Sequence, residues 1–318
     1  MNLLKNFAEV ELVANYSNIP GVLNFKEYLK EHKLNNTLFY NYSIVDPNIK
    51  LLLTLKFKKK IIYYHGITPP KFFPYGSKLS NNCKKGLSDI SILQDFDLYI
   101  SNSTASKTQF LENLKQNFFG SKKFIIMPPI NNFSNKKRYI EGKLLDSEIN
   151  FYYCGTIITH KNVNLLLDSF NKNKKNNFKL SIFTSSSFEQ ILELLGEEKY
   201  SEYLKNSIKF FYQLEDEKMD FLSKYMNCFI TLSMHEGFCI PLFDAINNFK
   251  PTLSFPLKCL DDYFPKEYQF ISNLDDTINI QKKYHHNLEY IEIFRAFIKD
   301  KLEFFTKTGL DLIVKLID

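Results

Sequence analysis

The fold of this chain is decided by one stretch, residues 233–244, which reads SMHEGFCIPLFD. The apolar run before it, NCFITL at residues 227–232, is typical of a buried strand. Pro241 stands where a helix begins, because its fixed φ suits the first helical turn and its missing N–H is not needed there. The stretch therefore predicts a strand, a tight glycine turn and the N-terminus of a helix.

The predicted turn suits a ligand with a diphosphate at its centre. Free backbone N–H groups and the positive end of the helix dipole converge at such a turn and attract phosphate. Glu236 precedes the turn and Asp244 lies one turn into the helix, so a carboxylate stands on each side. A nucleotide-sugar fits this pattern, since it has hydroxyl groups at both ends of its diphosphate. The alternative is an ordinary strand-to-helix turn with solvated acids.

The same residues resemble the Glu-x7-Glu signature of retaining glycosyltransferases of family 4, also called group 1, in their bacterial form. Members of this family have the GT-B fold. The resemblance implies that Glu236 contacts the donor hexose and that Asp244, which replaces the family's second Glu, holds the nucleotide ribose. It also implies that the backbone amides of Gly237, Phe238 and Cys239 lie between the two acids.

A second stretch, residues 150–162, extends the resemblance. NFYYCG at residues 150–155 predicts a strand that ends at Gly155, and a helical pattern follows residue 162. In the family, an Arg and a Lys flank the diphosphate here. The resemblance therefore implies that Lys161 contacts the diphosphate, while Thr156 stands in place of the Arg. A surface lysine is the alternative, although a cation near a helix N-terminus opposes the dipole unless an anion lies between them.

Two departures from the family pattern affect the nucleotide base. Thr184 replaces a glycine that commonly ends the strand at residues 179–183, and Tyr212 replaces one after residues 208–211. The family places the base against the following loop, so Gln213 and Leu214 are implied to contact the donor. The identity of the base does not carry over, and either a GDP-sugar or a UDP-sugar is expected.

The N-terminal half contains a second signature, KIIYYHGITPP at residues 60–70. It predicts a strand that stops at a His-Gly turn and cannot continue past two prolines. Strands are also predicted at residues 96–103 and 124–129. This order resembles the acceptor domain of the same family, which implies that His65 contacts the transferring hexose, with Gly66 and Ser103 on the acceptor side. A core or surface histidine is the alternative, but ligands bind at the carboxyl ends of parallel strands.

Length and composition predict two α/β domains. The chain has 318 residues and a hydrophobic content of 44%, enough for two cores. We expect an N-terminal acceptor-binding domain at residues 1–146, a linker at 131–148, and a nucleotide-sugar-binding domain at 147–318 whose last helix, from 290 to 317, returns to the first domain. The predicted fold class is GT-B, with two Rossmann-like domains facing across a cleft. The first domain is shortened, because residues 1–50 offer two short strands and no glycine-rich opening loop.

Charge is shared unevenly between the predicted domains. Residues 1–146 contain 21 Lys and Arg against 11 Asp and Glu, and the rest of the chain contains 20 against 24. The basic half suggests attraction to an anionic surface or an anionic acceptor. Residues 51–60, LLLTLKFKKK, suggest a peripheral membrane patch, or alternatively a solvated face before a strand. No zinc spacing, helix-turn-helix or RNA-binding motif supports a nucleic-acid partner.

Targeting and cysteine patterns suggest a cytoplasmic protein, at the inner face of the membrane if the basic patch is used. No signal-peptide layout or membrane-spanning apolar run is present. The five cysteines contain no Cys-x-x-Cys and indicate reduced thiols in place of a disulfide framework or a metal site.

The predicted chemistry is metal-independent hexose transfer with retention of configuration, and the NDP-sugar is a co-substrate with no further cofactor. His65, Glu236 and Lys161 are the candidate catalytic residues, and the expected acceptor is a glycan or a lipid-linked saccharide. Asp95 and Asp97 match the metal-binding Asp-x-Asp of the other main glycosyltransferase fold, but this triplet enters a strand instead of leaving one. The alternative function is a non-catalytic nucleotide-sugar-binding or scaffolding subunit of a glycan-assembly complex.

Overall fold

The computed structural model describes residues 5, 7–17, 19–31, 36–114, 123–129, 149–172, 178–266, 268 and 288–317. Within them lie two parallel sheets with helices packed on their faces. The predicted linker at residues 131–148, and with it the expected boundary at 146–147, falls outside the described residues.

The first sheet is four-stranded. Strands β1 (Leu12–Ala14) and β2 (Val22–Asn24) form a separate parallel pair, whereas β3 (Thr37–Tyr42), β4 (Lys59–Tyr64), β5 (Leu98–Ser101) and β6 (Lys123–Ile126) form the parallel sheet in that order. The helices of this half are α1 (Phe25–Glu31), α2 (Ile49–Thr54), α3 (Lys78–Asp89) and α4 (Thr104–Leu114).

Buried tyrosines hold the carboxyl ends of this sheet in place. Tyr42 and Tyr64 are at most 1% exposed. The Tyr42 hydroxyl donates to the carbonyl of Gly86 at 2.6 Å, and the Tyr64 hydroxyl donates to Oε1 of Gln109 at 2.5 Å. A buried tyrosine needs such a partner for its hydroxyl. The tyrosine hydroxyls at the carboxyl ends of β3 and β4 are therefore hydrogen-bonded inside the domain.

The Asp-x-Asp triplet lies at the opposite end of this sheet. Strand β5 begins at Leu98, later than predicted, because Asp97 links the starts of two strands. Its carboxylate accepts from the backbone N–H of Lys60 at 2.8 Å, and its own N–H donates to the Lys60 carbonyl. Asp97 is thus at the amino ends of β4 and β5, away from the end where parallel sheets bind ligands.

Part of the predicted basic patch is built into the first sheet and its core. Lys59 and Lys60 belong to β4, and Phe57 packs against the core of the first sheet. Leu52, in α2, is 7% exposed. The segment leads directly into a strand. No helix within the described ranges combines the length and apolar character needed to cross a membrane.

The second sheet has five parallel strands in a doubly wound order. Its strands are β7 (Ile149–Cys154), β8 (Phe178–Thr184), β9 (Ile208–Tyr212), β10 (Cys228–Thr231) and β11 (Thr252–Ser254), arranged β11-β10-β7-β8-β9. The helices are α5 (Val163–Lys172), α6 (Phe188–Leu195), α7 (Glu197–Lys205), α8 (Asp216–Ser223) and α9 (Ile240–Asn247). The strand order reverses between β7 and β10, which creates a switch point where ligands bind in open parallel sheets.

The last helix, α10 (Leu288–Ile317), packs on both halves. Near its start, Phe294 and Ile298 lie in the core beside α9. Near its end, Ile313 packs with residues of β4 and β5. Gly309 allows close packing in between, because an added Cβ would lie 2.6 Å from Sδ of Met127, the residue after β6.

Candidate active site

The turn after β10 touches the turn after β4. A Cβ added at Gly237 would overlap the carbonyl oxygen of His65 and would lie 3.3 Å from Nδ2 of Asn102. A Cβ added at Gly66, which has φ +83°, would lie 3.6 Å from Cα of Gly237 and 2.8 Å from Oγ of Ser106. Only glycine fits at these two positions without displacing a neighbour. The structure thus brings together His65, Gly66 and Gly237, which the sequence placed in separate signatures.

His65 is held by its neighbours in a neutral state. Its Nε2 lies 3.1 Å from Oδ1 of Asn41, an arrangement that pairs a ring N–H with the amide oxygen and leaves Nδ1 as an acceptor. Its ring lies 4.5 Å from the ring of Tyr63, and its backbone carbonyl accepts from Asn102 at 2.8 Å. Burial lowers the pKa of His65 to about 4, so the imidazole is uncharged at neutral pH.

Glu236 and Lys161 form an ion pair at the switch point. Lys161 follows β7 and Glu236 follows β10, and Nζ of the lysine donates to Oε2 of the glutamate at 2.6 Å. Their side chains are 20% and 11% exposed. A hydrogen bond between two charged groups is shorter and stronger than one between neutral groups. The sequence predicted both residues but not their direct contact.

Two histidines next to this ion pair in sequence form a cluster with a phenylalanine. The rings of His160 and His235 lie 6.3 Å apart, and the ring of Phe72, from the first half, lies 6.3 Å from the former and 6.0 Å from the latter. Both Nδ1 atoms are buried without a hydrogen-bond partner among the described residues. Burial, aided by Lys161 and by the neighbouring His235, lowers the pKa of His160 to about 4.

The pKa of His235 is lowered mainly by burial, and Lys161 and Lys71 act in the same direction, while Glu236 opposes them. Lys71 lies over the ring of Phe72, with its Nζ 5.4 Å from the centroid. The sequence analysis did not single out this cluster. The available signal was the aromatic pair Phe72-Phe73, one residue after the Pro69-Pro70 stop.

At Phe238 and Cys239, the next two residues of the glycine turn, only backbone groups are available to a ligand. The Phe238 ring is 4% exposed and stacks on Phe243 at 4.3 Å, so it belongs to the core. Cys239 is buried as well and caps α9 in a left-handed conformation with φ 68°. Pro241 lies in the first turn of the helix, as predicted, and Asp244 is exposed on it.

The loop after β7 is fixed by hydroxyl groups. Gly155 has φ 153°, and an added Cβ would lie 2.8 Å from the hydroxyl of Tyr153. That hydroxyl donates to the carbonyl of Thr156 at 3.0 Å. The Thr156 side chain is exposed, and its hydroxyl lies 3.1 Å from that of Ser185. The position of the family's Arg is therefore occupied by a neutral hydroxyl pair.

The loop after β9 holds the residues predicted to contact the base. Gln213 is exposed and left-handed, with φ 44°, a conformation that favours glycine. Its N–H donates to the carbonyl of Thr184 at 2.8 Å. Leu214 is half-buried against the core of the second sheet. The Tyr212 hydroxyl lies 2.5 Å from the hydroxyl of Tyr200, so this side chain is engaged within the domain.

Ser103, which the resemblance placed on the acceptor side, lies at the start of α4. It is fully buried, and its hydroxyl accepts from the backbone N–H of Ser106 at 3.2 Å in the first turn of α4. A serine is a preferred cap at this position, which accounts for its place in the sequence. Its neighbour Asn102 is the residue that reaches the His65–Gly237 contact.

A second contact joins the two halves at the start of α4. Asp262, which follows β11 in the second half, accepts from the backbone N–H of Thr104 at 2.6 Å and from its hydroxyl at 2.7 Å. Tyr263 is fully buried and donates to the carbonyl of Asn102 at 2.5 Å. An acid at a helix N-terminus is stabilising. The sequence analysis missed both residues, because they lie about 160 positions from the helix that they contact.

Comparisons with known proteins agree with this architecture. Residues 135–271 match the family model described as "Glycosyl transferases group 1". A search of curated proteins by sequence finds no match. Among solved structures, sucrose-phosphate synthase from Thermosynechococcus elongatus aligns with a TM-score of 0.69 at 15% identity, over 92% of this chain and 76% of the other.

Two further solved structures are similar to this chain over nearly the same share of its length. A glycosyltransferase from Rickettsia africae aligns with a TM-score of 0.64 at 14% identity, over 92% of this chain and 79% of its own. The structure described as trehalose-6-phosphate from E. coli bound with UDP-2-fluoro glucose aligns with a TM-score of 0.62 at 12% identity, over 91% and 75%. The fold is GT-B, with two Rossmann-like units, as the sequence predicted. Together with the family match, it supports a glycosyltransferase.

Proposed function

We propose that this chain transfers a hexose from an NDP-sugar, a GDP- or UDP-sugar, to a glycan or lipid-linked saccharide in polysaccharide biosynthesis, with retention of configuration, as family-4 enzymes do. One observation carries the proposal: Glu236 and Lys161 meet at the switch point, beside the place where Gly237 contacts the His65 turn. The UDP-2-fluoro glucose in the similar E. coli structure supports an NDP-sugar donor.

Each residue has a role in this proposal. Glu236 accepts hydrogen bonds from the donor hexose, and neutral His65 contacts the same sugar from the other domain. Lys161 and the backbone amides at the start of α9 stabilise the leaving diphosphate, which is electrostatic catalysis by preorganised donors. Asp244 holds the ribose, and the loop of Gln213 and Leu214 receives the base.

We further propose that transfer needs no metal ion. The proposed stabilisers of the diphosphate are a cation and a helix N-terminus. Within the described part of the chain, no group of three or more His, Cys, Asp or Glu side chains is arranged to hold a metal. Activity in excess EDTA, with an α product from an α-linked donor by NMR, is expected. A β product, or activity lost in EDTA and restored by manganese, contradicts this mechanism.

The decisive experiment measures the release of nucleotide from a panel of UDP-, GDP- and ADP-sugars. One donor of the panel is expected to turn over, slowly with water and faster with an added acceptor. Tight binding of a nucleotide-sugar without release would favour the second candidate, a non-catalytic subunit. Thr156 supports that candidate, because this neutral residue stands where the resembled family has an Arg beside the diphosphate.

Peripheral membrane association, at the cytoplasmic face, belongs to the same proposal, since the acceptor can be lipid-linked. It rests on the basic charge of residues 1–146. Co-sedimentation with vesicles that contain anionic lipid, compared with neutral vesicles, tests it. Equal recovery with both kinds of vesicle contradicts it.

A further inference from the structure

Asn41, at the carboxyl end of β3, contacts the His65 side chain from the neighbouring strand. The register of the sheet pairs Asn41 with Tyr63 of β4, and the backbone N–H of His65 donates to the Tyr42 carbonyl at 3.0 Å. Side chains two residues apart along a strand point to the same face of the sheet. Asn41, Tyr63 and His65 therefore share one face at the carboxyl end of the sheet, where parallel sheets bind ligands.

Two contacts hold the ring of His65. Its Nε2 lies 3.1 Å from Oδ1 of Asn41, and its centroid lies 4.5 Å from that of the Tyr63 ring. Tyr63 is itself fixed, because it is 5% exposed and its hydroxyl donates to the Met127 carbonyl at 2.6 Å. A hydrogen bond to one ring nitrogen and a buried ring beside it restrict rotation of the imidazole. The orientation of His65 thus depends on Asn41.

The same hydrogen bond decides which ring nitrogen of His65 carries the proton. A neutral imidazole has one N–H donor and one acceptor nitrogen. An amide oxygen can only accept, so Oδ1 of Asn41 selects the tautomer with the proton on Nε2 and a lone pair on Nδ1. Burial keeps this ring uncharged at neutral pH, since it lowers the pKa of His65 to about 4. Tyr63 is uncharged as well, because burial raises its pKa.

We propose that Asn41 is a positioning residue for hexose transfer, which fixes His65 with Nε2 protonated so that Nδ1 accepts a hydrogen bond from a hydroxyl group of the donor hexose. The inference rests on the proposed function, which places the hexose against His65. It adds that His65 acts on the sugar as an acceptor and not as a proton donor, and it names the residue that sets this role.

The first experiment measures the tautomer directly. The full chain, labelled with ¹⁵N-histidine and without donor, is studied by long-range ¹H–¹⁵N NMR, and the His65 signals are those that disappear in His65→Gln. The parent chain should show a protonated Nε2 and an unprotonated Nδ1. Asn41→Leu, which removes the amide at nearly the same side-chain size, should show a mixture of the two tautomers.

The second experiment uses Asn41→Asp to separate positioning from structural support. The carboxylate still accepts from the Nε2 proton, but its charge should raise the pKa of His65 by about 1–3 units. The kcat/KM for the donor should then fall at a correspondingly higher pH, because the imidazolium has no acceptor nitrogen. At pH 8, Asn41→Asp should be more active than Asn41→Leu, in which kcat/KM should be about five- to tenfold below the parent value.

The matched control is Asn81→Asp, which adds the same charge at an exposed position of α3, where the asparagine donates to the Gly76 carbonyl. It should leave the tautomer, the pKa of His65 and the pH profile unchanged. A second control introduces Asn41→Leu into His65→Ala. No further loss of kcat/KM is expected there, because the residue that Asn41 positions is already absent.

The outcomes separate this inference from the proposed function. A proton on Nδ1 of the parent chain, or a tautomer and a pH profile that stay the same in both Asn41 variants, overturns the inference while donor turnover stands. A full additional loss from Asn41→Leu in the His65→Ala background also overturns it, since Asn41 would then act through another residue. Absence of turnover with every donor contradicts the transferase, and with it the role in transfer, whichever tautomer is found.

Discussion

At the scale of single residues, the Lys161–Glu236 ion pair gives the sharpest prediction. Glu236→Gln should lower turnover by at least about a hundredfold, because a charged acceptor for the sugar hydroxyls is replaced by a neutral amide. Affinity for the free nucleotide should change little, since the nucleotide lies beyond the proposed contact. Turnover and nucleotide calorimetry measure the two effects.

The matched control is Glu198→Gln, an exposed glutamate in the first turn of α7, which should behave like the parent chain. Loss of both turnover and nucleotide affinity in Glu236→Gln, with an unchanged circular dichroism spectrum, would contradict the role given to this carboxylate.

Gly237 carries a second prediction at this scale. Gly237→Ala should abolish most of the turnover, because the new Cβ would overlap the His65 carbonyl and the two turns would have to separate. Gly309→Ala is the control outside the site, since the three nearest atoms that its Cβ would meet all belong to the flexible side chain of Met127. Near-parent activity for Gly237→Ala would mean that the observed contact is not needed for transfer.

The sequence analysis could point to candidate site residues that stand in recognisable short patterns. Glu236, Gly237 and Lys161 stand in short stretches in which glycine, proline and acid spacing have a direct structural meaning. Asn102 and Asp262 could not be found in this way, because the Asn102 carbonyl accepts from Tyr263 and the Asp262 carboxylate accepts from Thr104, in each case from the other domain. Ser103 stands in a stretch of the same kind, and the structure shows that its hydroxyl caps the first turn of α4.

At the scale of elements, the N-terminus of α4 depends on an acid from the other domain. Asp262→Ala should lower the free energy of unfolding by about 1 kcal/mol, the usual cost of losing a helix cap. It should also favour separation of the domains, seen as a larger radius of gyration in small-angle X-ray scattering.

The control variant is Asp261→Ala, at an exposed acid next to it. Neither effect is expected there, because the two hydrogen bonds to Thr104 come from Asp262. Equal effects of the two substitutions would show that the local turn, and not the contact with α4, is what matters.

Elements could be predicted where apolar runs end at glycine or proline. β4 and β10 are examples, and each lies within a residue or two of the expected range. The packing of α10 on two cores could be expected only in outline, because the close approach of Gly309 to Met127 follows from no pattern in the sequence.

At the scale of the whole molecule, buried histidines make stability depend on pH. The folded-state pKa values of His65 and His160 are about 4, against an ordinary value of 6.5. Between these values the unfolded chain binds more protons, so the free energy of unfolding should fall as pH is lowered from 6.5 to 4. Each histidine contributes up to about 1.4 kcal/mol per pH unit. Urea titrations across this range measure the slope, and His160→Gln should reduce it. A slope that is unchanged in this variant would contradict the burial of a neutral imidazole.

The long helix α10 has a mechanical consequence. The backbone passes from the first domain to the second after Pro129, and it returns along α10, which is anchored at Ile298 on one side and at Ile313 on the other. Two bodies joined at a single point can turn about three axes, whereas two bodies joined at two points can turn only about the line through both joints. These two joints act together with the contacts of Gly237 with His65 and of Asp262 with Thr104. We expect removal of the last two turns of α10 to release one joint and so to widen the range of domain orientations measured by small-angle X-ray scattering.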